Sequence, residues 1–284
     1  MKKQKRKLLK GSYDLYIINA CNLNCKGCSV LDYKGKVTIG LMTLQDVKDI
    51  VANLNRLCVT VQELKILGGE PTLHKQFNDI VTYLRTQKGL YKKLTLVTNG
   101  LNFTPSVIET TKLFDNVIMS VYPNMPIDEK IVHSGLHEHL KKYVDIEYWP
   151  QNMFEQYGEG KQNTAEENWN ACWQKDNCLT LTKEGLYHCT ISMNEKSDLC
   201  SYENLEDVVS YVERDTPLDM CKKCPWPPKM ENWSSLKPEV DSKNYKKGVE
   251  LINAVEILYA KDTITAEDII LIFKRSMMHW NVNY

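Results

Sequence analysis

Three cysteines lie close together near the start of the chain, in the run Cys21-Asn-Leu-Asn-Cys25-Lys-Gly-Cys28. Three thiolates can hold three irons of a [4Fe–4S] cube and leave the fourth iron open to a substrate or cofactor. The run therefore predicts chemistry at an open iron. A zinc knuckle is the alternative, but it needs a fourth ligand, and the nearest histidine, His74, lies beyond the second predicted strand.

A second cysteine-rich region lies later in the chain and contains Cys172, Cys178, Cys189, Cys200, Cys221 and Cys224. The alternating segment from Cys178 to Cys189 predicts a β-hairpin around a Lys-Glu-Gly turn. A two-residue turn at Glu184-Gly185 would place these two cysteines on one face, and a three-residue turn would place them on opposite faces. Four thiolates in this region fit either an iron–sulfur cluster or a zinc ribbon.

The composition indicates a protein of the reducing cytoplasm. The 284 residues carry 36 basic and 36 acidic side chains, and this balance makes a nucleic-acid partner unlikely. The basic segment 1–10 lacks the apolar core of a signal peptide, and no later run is long enough to span a membrane. In a reducing compartment clustered cysteines are more often metal ligands or catalysts than disulfides. We expect cytoplasmic localisation, no membrane partner and a solvated basic tail at residues 1–10.

Short apolar strands alternate with amphipathic helices from residue 13 to about residue 150. The predicted strands, mostly apolar as buried parallel strands are, are 15–19, 63–67, 94–98, 117–121 and 144–149. The predicted helices are 43–57, 73–87, 104–114 and 128–143, with Thr43 and Thr104 as N-caps. This order predicts an α/β fold with a parallel sheet, either open and doubly wound or curved into part of a barrel.

The carboxyl ends of the predicted strands carry the polar and turn-forming residues. The first strand leads to Cys21, the second to Gly68-Gly69-Glu70-Pro71, the third to Asn99 and the fourth to Ser120. Because parallel strands end at one edge of a sheet, and ligands bind at that edge, these residues are expected to form one site.

A cysteine run of this spacing after a first strand, with Gly68-Gly69-Glu70-Pro71 after the second, resembles the radical S-adenosylmethionine (radical SAM) superfamily over roughly residues 13–150. The resemblance implies a partial (β/α)6-type TIM barrel. It implies that Cys21, Cys25 and Cys28 ligate a catalytic [4Fe–4S] cluster whose fourth iron binds S-adenosylmethionine. Reductive cleavage would then release a 5′-deoxyadenosyl radical, which abstracts a hydrogen atom from the substrate.

The resemblance also implies where S-adenosylmethionine binds. Gly68 and Gly69 would let the backbone approach the methionine moiety, and Glu70 or adjacent carbonyls would receive its ammonium group. Asn99 and Ser120 are candidate contacts for the ribose hydroxyls or the methionyl carboxylate, with an ordinary turn or strand end as the alternative.

One residue departs from the family pattern. Gly27 precedes the third cysteine, where the family usually places an aromatic residue against the adenine. We therefore expect the adenine to stack elsewhere, for example on Tyr33.

The second cysteine region resembles the twitch module, which carries an auxiliary cluster behind some radical SAM barrels. The resemblance implies a second [4Fe–4S] cluster ligated by Cys172, Cys189, Cys221 and Cys224. Cys178 competes with Cys172 for the first position, and the separation from Gly185 favours Cys172.

Four segments follow from these assignments. They are a basic tail (1–10), a radical SAM partial barrel (11–165), a twitch-like module (166–235) and a C-terminal tail (236–284) with predicted helices at 247–259 and 266–278.

The reaction expected from these features is the oxidation or modification of a small molecule or peptide. A redox-neutral isomerase, dehydratase or epimerase is the alternative within the enzymes, and a zinc-stabilised interaction protein is the alternative outside them. Glu147 and Tyr122, at or near strand ends, are the candidate catalytic residues. An electron donor such as flavodoxin or ferredoxin is the expected protein partner.

Overall fold

The computed structural model describes residues 5–23, 28, 41–100, 102, 104–121, 140–150, 153–156, 163–224 and 229–232. Cys25, Gly27, Tyr33 and Tyr122 lie outside these residues. Most of the predicted helix 128–143 and the whole predicted tail 236–284 also lie outside them.

The first five strands are β1 (Lys7–Ile18), β2 (Val59–Gly68), β3 (Tyr91–Thr98), β4 (Asn116–Val121) and β5 (Asp145–Pro150). The later strands are β6 (Met153–Gln156), β7 (Leu179–Leu181), β8 (Gly185–Tyr187), β9 (Cys200–Ser201) and β10 (Lys229–Asn232). Eight of them form one sheet in the order β5-β4-β3-β2-β1-β7-β8-β9. Strands β1 to β5 are parallel to their neighbours, which confirms the predicted parallel α/β sheet.

Strand β1 begins inside the segment that we expected to be a solvated tail. Lys7 pairs with Val59, and Leu9 is buried. The Arg6 guanidinium donates to Asn55 Oδ1 at 3.0 Å and to Thr60 Oγ1 at 3.1 Å. The tail prediction was therefore wrong from Arg6 onward, because basic side chains can stay at the surface while their backbone joins a sheet.

Three helices of the parallel part are described: α1 (Leu44–Arg56), α2 (Phe77–Thr86) and α3 (Pro105–Thr111). Thr43 and Thr104 accept hydrogen bonds from the backbone N–H three residues on, so both predicted N-caps are confirmed. Helix α2 starts later than predicted, because Pro71–Leu73 forms a separate 3₁₀ turn. No helix in the described part of the chain is long and apolar enough to cross a membrane.

The two faces of the parallel sheet differ in polarity. One face is apolar and packs into the core with the helices; its residues include Leu15, Leu64, Ile66, Leu94, Leu96 and Val117. On the other face Glu63 accepts hydrogen bonds from Ser12 Oγ at 2.8 Å and Thr95 Oγ1 at 2.5 Å. Lys93 Nζ lies 3.6 Å from Glu63 and 3.7 Å from Glu147 on this polar face. A polar face of this kind can line the inside of a partial barrel.

The strand that follows β5 does not extend the parallel sheet. Instead β6 pairs antiparallel with β10 in a separate two-stranded sheet. The sixth parallel strand of the described sheet is β7, which pairs with the other side of β1. The described sheet thus has the six parallel strands of a (β/α)6-type barrel, but the sixth belongs to the later hairpin and lies beside β1.

The cysteine-rich region adds helices α4 (Ala165–Ala171), α5 (Gln174–Asn177) and α6 (Leu205–Val212). Its predicted hairpin is confirmed, with Leu181 opposite Leu186 in an antiparallel pair. Thr182 N–H donates to the Gly185 carbonyl at 2.8 Å, so the two central residues of the turn are Lys183 and Glu184. Of the two turn lengths left open by the sequence, the structure has the two-residue turn, one residue earlier than Glu184-Gly185. Because this hairpin joins the same sheet as β1, no break in the sheet separates residues 11–165 from 166–235.

Candidate active site

The cysteine segment that follows β1 is fixed to the end of β2 by backbone hydrogen bonds. Gly69 N–H donates to the Ile18 carbonyl at 2.8 Å, and Glu70 N–H donates to the Ala20 carbonyl at 2.8 Å. These bonds continue the pairing of the two strands past the point where β1 ends. They place Cys21 at the carboxyl edge of the sheet, as the sequence predicts.

The two glycines of this turn are needed for that close approach. A Cβ atom on Gly68 would overlap the Ile18 carbonyl, and one on Gly69 would overlap the Ala20 carbonyl. The backbone that comes close to these glycines is therefore the one that carries Cys21. The expected contact of the glycines with a methionine moiety remains a prediction.

Glu70 is completely buried, and its carboxylate is surrounded by donors. Oε1 accepts from Thr72 N–H at 3.1 Å, Thr72 Oγ1 at 2.6 Å and Thr98 Oγ1 at 2.8 Å, and Oε2 accepts from Asn99 N–H at 2.8 Å. Burial raises the pKa of this carboxyl, and the four donors oppose that shift. A carboxylate has about four lone-pair sites. Glu70 therefore ties the ends of β2 and β3 together, and little acceptor capacity remains for the ammonium group that the sequence assigned to it.

Asn99 reaches from the end of β3 to the cysteine segment. Its Nδ2 donates to Asn22 Oδ1 at 2.7 Å and lies 3.6 Å from Cys21 Sγ. Leu23 N–H donates to the same sulfur at 3.4 Å. The structure thus places Asn99 beside the first cysteine, whereas the sequence had suggested only a contact to the ribose or carboxylate of the cofactor.

The chemistry of Cys21 fits a metal-bound thiolate. Burial, together with the nearby Glu70 and Cys28, raises the pKa of the free thiol to about 12, against the hydrogen bonds from Leu23 and Asn99. A thiolate is favoured at such a position when a metal supplies positive charge. Donors to the sulfur stabilise cluster thiolates and adjust the reduction potential. Cys21 and Cys28 therefore fit the cluster, and Cys25 lies outside the described residues.

Other predicted side chains lie on the polar face of the sheet, at this edge or close to it. Ser120 pairs with Trp149 and Ile118 pairs with Glu147 across β4 and β5, so Glu147 lies one step below the edge. Asn116 Nδ2 donates to Glu147 Oε1 at 2.8 Å, and Trp149 is 42% exposed. Glu147 is thus part of the polar network on the inner face, and Trp149 shares that face at the edge, as the alternation of side chains along the strand predicts.

The second cysteine region forms one cavity. Its wall includes the four predicted auxiliary ligands Cys172, Cys189, Cys221 and Cys224, together with Asn168, Trp169 and His188. Cys178 is not part of this wall. The cavity therefore favours Cys172 over Cys178 as the first ligand.

The donor set of this cavity suits a cluster. Burial raises the pKa of the Cys189 thiol to about 12, and burial also raises the pKa of the Cys221 thiol. No three His, Cys, Asp or Glu side chains in the described residues are grouped so that they could hold a metal ion. A [4Fe–4S] cube is held by four thiolates, one at each iron, and four cysteines line this cavity.

The fold and the edge site define a class: a parallel β/α sheet with a glycine-held cysteine segment at its carboxyl edge. The Radical SAM superfamily model matches residues 15–142 of the chain. Members of the superfamily use a [4Fe–4S] cluster and S-adenosylmethionine.

Curated relatives are similar over part of the chain. The S-adenosylmethionine-dependent nucleotide dehydratase of Selenomonas ruminantium is 35% identical over 112 residues, which are 38% of this chain and 38% of that protein. The GTP 3′,8-cyclase of Photorhabdus laumondii subsp. laumondii is 31% identical over 86 residues, which are 30% of this chain and 25% of that protein. The chain thus spans less than two fifths of the length of either relative.

A solved structure shares the fold over a longer stretch. The crystal structure of BtrN in complex with AdoMet and 2-DOIA superposes with a TM-score of 0.54 at 17% identity, over 77% of this chain and 94% of that chain. This likeness supports the overall fold.

Proposed function

We propose that the chain is a radical SAM enzyme that cleaves S-adenosylmethionine reductively at a cluster held by Cys21, Cys25 and Cys28. The main support is the Cys21 sulfur, which has donors at 3.4 Å and 3.6 Å at the carboxyl edge of the sheet. A cluster and S-adenosylmethionine bound there would supply a 5′-deoxyadenosyl radical after one-electron reduction by a donor such as flavodoxin or ferredoxin.

The surrounding residues have distinct roles in this proposal. Gly69 and Glu70 hold the cysteine segment through their backbone N–H groups, and Asn99 orients the Cys21 sulfur. Ser120 and Trp149 lie opposite each other on the polar face, at the edge of the sheet. Glu147 lies one step further from that edge and stays a candidate catalytic residue. Tyr122 stays a candidate from sequence alone.

A second [4Fe–4S] cluster in the cavity of Cys172, Cys189, Cys221 and Cys224 is also part of the proposal. The support is that these four cysteines, drawn from three separate segments, line one cavity. The cavity lies in the region whose hairpin strand pairs with β1, the strand that leads to Cys21. The pairing of β1 with β7 therefore connects the regions of the two proposed clusters within one sheet.

The reaction class best supported is a redox-neutral rearrangement, with a nucleotide as the substrate class. The two curated relatives are named as a cyclase of GTP and a dehydratase of nucleotides, and neither cyclisation nor dehydration changes the oxidation level of the substrate. The exposed Trp149 indole at the sheet edge offers a surface on which a base can stack.

Oxidation of a small molecule is the second candidate. It is favoured by the cysteine cavity beside the barrel, because a second cluster can accept the electron that a substrate radical loses on oxidation.

The cleavage step is tested by anaerobic incubation with S-adenosylmethionine and dithionite. The wild-type protein is expected to form 5′-deoxyadenosine, and the C21A/C25A/C28A variant is expected to form none. Cys58→Ala is the matched control, since Cys58 precedes β2 at the opposite, amino edge of the sheet. Cleavage by the triple variant would show that the catalytic cysteines are assigned wrongly.

The reaction class is tested by counting electrons, with GTP and CTP as substrates and a limiting amount of reduced flavodoxin. A rearrangement that consumes S-adenosylmethionine takes one electron for cleavage and a second to quench the product radical. In an oxidation the substrate radical returns one electron to the protein, and that electron can support the next cleavage. The amount of product would then exceed the amount of reductant supplied. If neither nucleotide raises 5′-deoxyadenosine formation above the rate without substrate, the nucleotide assignment is wrong.

A further inference from the structure

We propose that Asn168 and Asp198 are positioning residues that hold the Cys221-x-x-Cys224 loop in place for the auxiliary cluster. This inference rests on the proposed presence of that cluster. It concerns two polar side chains outside the cysteine set, both of which are buried: Asn168 is 2% exposed and Asp198 is 3% exposed.

Asn168 contacts both cysteines of the loop at once. Its Nδ2 donates to the Cys221 carbonyl at 2.8 Å and to the Cys224 carbonyl at 3.3 Å. Its Oδ1 accepts from Asn163 Nδ2 at 3.4 Å. One amide group thus uses both of its N–H donors to set the spacing of two ligand residues.

The same helix also carries the first proposed ligand. Asn168 lies in α4, and Cys172 follows four residues later as the C-cap of that helix. Residues four apart lie on one face of a helix. Asn168 therefore connects the segment of Cys172 to the loop of Cys221 and Cys224.

Asp198 holds the loop from its other side. Its two carboxylate oxygens accept the backbone N–H groups of Asp219 at 3.0 Å and Met220 at 2.9 Å, immediately before Cys221. Asp198 ends the pair of 3₁₀ turns that follow Cys189 in the chain. It therefore connects the segment of Cys189 to the same loop.

The residues between the two loop cysteines are paired with acidic side chains outside the cavity wall. Lys222 Nζ lies 2.8 Å from Asp219, and Lys223 Nζ lies 2.6 Å from Glu195. Neither lysine lines the cavity, whereas Cys221 and Cys224 do. Asn168 binds the carbonyls of this loop and Asp198 binds its N–H groups, and together they place Cys221 and Cys224 at the cavity.

This arrangement explains why Asn168 and Asp198 occupy positions where their side chains are energetically unfavourable. An asparagine inside a helix lowers helix propensity, and burying an amide or a carboxylate costs free energy unless its hydrogen bonds are made. Partners that orient metal ligands typically change metal affinity by about 10- to 100-fold when they are removed. Asn168 and Asp198 are placed to have an effect of that size on the auxiliary cluster.

The test uses the C21A/C25A/C28A protein. This variant lacks the proposed ligands of the catalytic cluster, so iron release reports on the auxiliary cluster. Asn168→Leu and Asp198→Asn are added separately, and release of iron to a chelator is followed under anaerobic conditions. Each is expected to speed iron release by about 10-fold or more and to alter the electron paramagnetic resonance signal of the reduced cluster. Thr164→Ala is the matched control, since it removes the N-cap of α4 without touching the cysteine loop.

The outcomes separate the two proposals. If the parent triple variant holds no iron, the auxiliary cluster itself is refuted. If the parent holds iron and both added variants match the T164A control in release rate and spectrum, the positioning role is refuted. If N168L does not fold, D198N tests the same loop through its N–H groups, and an unchanged rate and spectrum in D198N would overturn the inference.

Discussion

The two cysteine regions of this chain are built in different ways. Near β1 the cysteines come in one run, and backbone bonds from Gly69 and Glu70 fix its position at the sheet edge. In the later region the cysteines come from separate segments, and buried side chains such as Asn168 hold them around a cavity. A site made from one run is visible as a motif. A site assembled from several segments depends on contacts that no motif records.

The largest expected effect comes from replacing a proposed cluster ligand in the second region. Cys172→Ala is expected to remove the auxiliary cluster completely, because Cys172 lines the cavity, whereas Cys178→Ala is expected to keep it. Iron and acid-labile sulfide analysis of the two anaerobically purified variants measures this. Loss of the cluster in C178A with retention in C172A would reverse the assignment.

Gly69→Ala tests how the first region is fixed. A Cβ there overlaps the Ala20 carbonyl, so the cysteine segment must move. A displacement of about 1 Å in a catalytic group can cost about 100-fold in rate, and we expect a loss of that order in 5′-deoxyadenosine formation. The iron of the second region should be retained, which serves as the control for folding. Wild-type cleavage by G69A would show that the tight turn is not needed.

Asn99→Ala removes one of the donors close to Cys21 Sγ. Because donors to a cluster sulfur raise its reduction potential, the variant is expected to have a lower midpoint potential and about 10-fold slower cleavage. Redox titration followed by electron paramagnetic resonance checks the potential. An unchanged potential would mean that this contact is lost once the cluster is bound.

Asp14, on the strand that pairs with β7, is expected to affect stability and not the chemistry of either site. It pairs with Thr180 of β7, and burial raises the pKa of its carboxyl to about 7, against the nearby Lys65 and a hydrogen bond from Cys178. Between about pH 4 and pH 7 the folded state keeps a proton that the unfolded state has lost, so stability falls as pH rises through this window. The total change is at most about 4 kcal/mol.

Asp14→Asn should remove this pH dependence, because an amide does not titrate. Thermal unfolding of the wild type and of D14N at pH 5, 6 and 7 measures the difference. A melting temperature of the wild type that rises from pH 5 to pH 7, with the same rise in D14N, would contradict the assignment.

Much of the first region could be predicted from sequence. The five parallel strands and the caps Thr43 and Thr104 follow from local patterns of apolar and capping residues. These features depend on neighbours in the chain. The sequence did not predict a strand at residues 7–14, because basic side chains interrupt the alternation of apolar and polar residues there.

The details that the sequence did not show depend on contacts between distant segments. Glu70 or adjacent carbonyls were predicted to receive the ammonium group of the cofactor, which stays a prediction, whereas the hydrogen bonds of Glu70 with Thr72, Thr98 and Asn99 were not predicted. The pairing of the hairpin strand β7 with β1 was not predicted either. Asn168 left one signal in the sequence, an asparagine in the middle of a short helix, which local propensity disfavours.

The claim that the two regions hold two independent clusters is tested most directly by iron and sulfide analysis with Mössbauer spectroscopy. The account predicts about eight irons in the wild type and about four in either C21A/C25A/C28A or C172A/C189A/C221A/C224A, all as [4Fe–4S] clusters. Zinc in place of iron in the second region, or loss of all iron in the first variant, would contradict it.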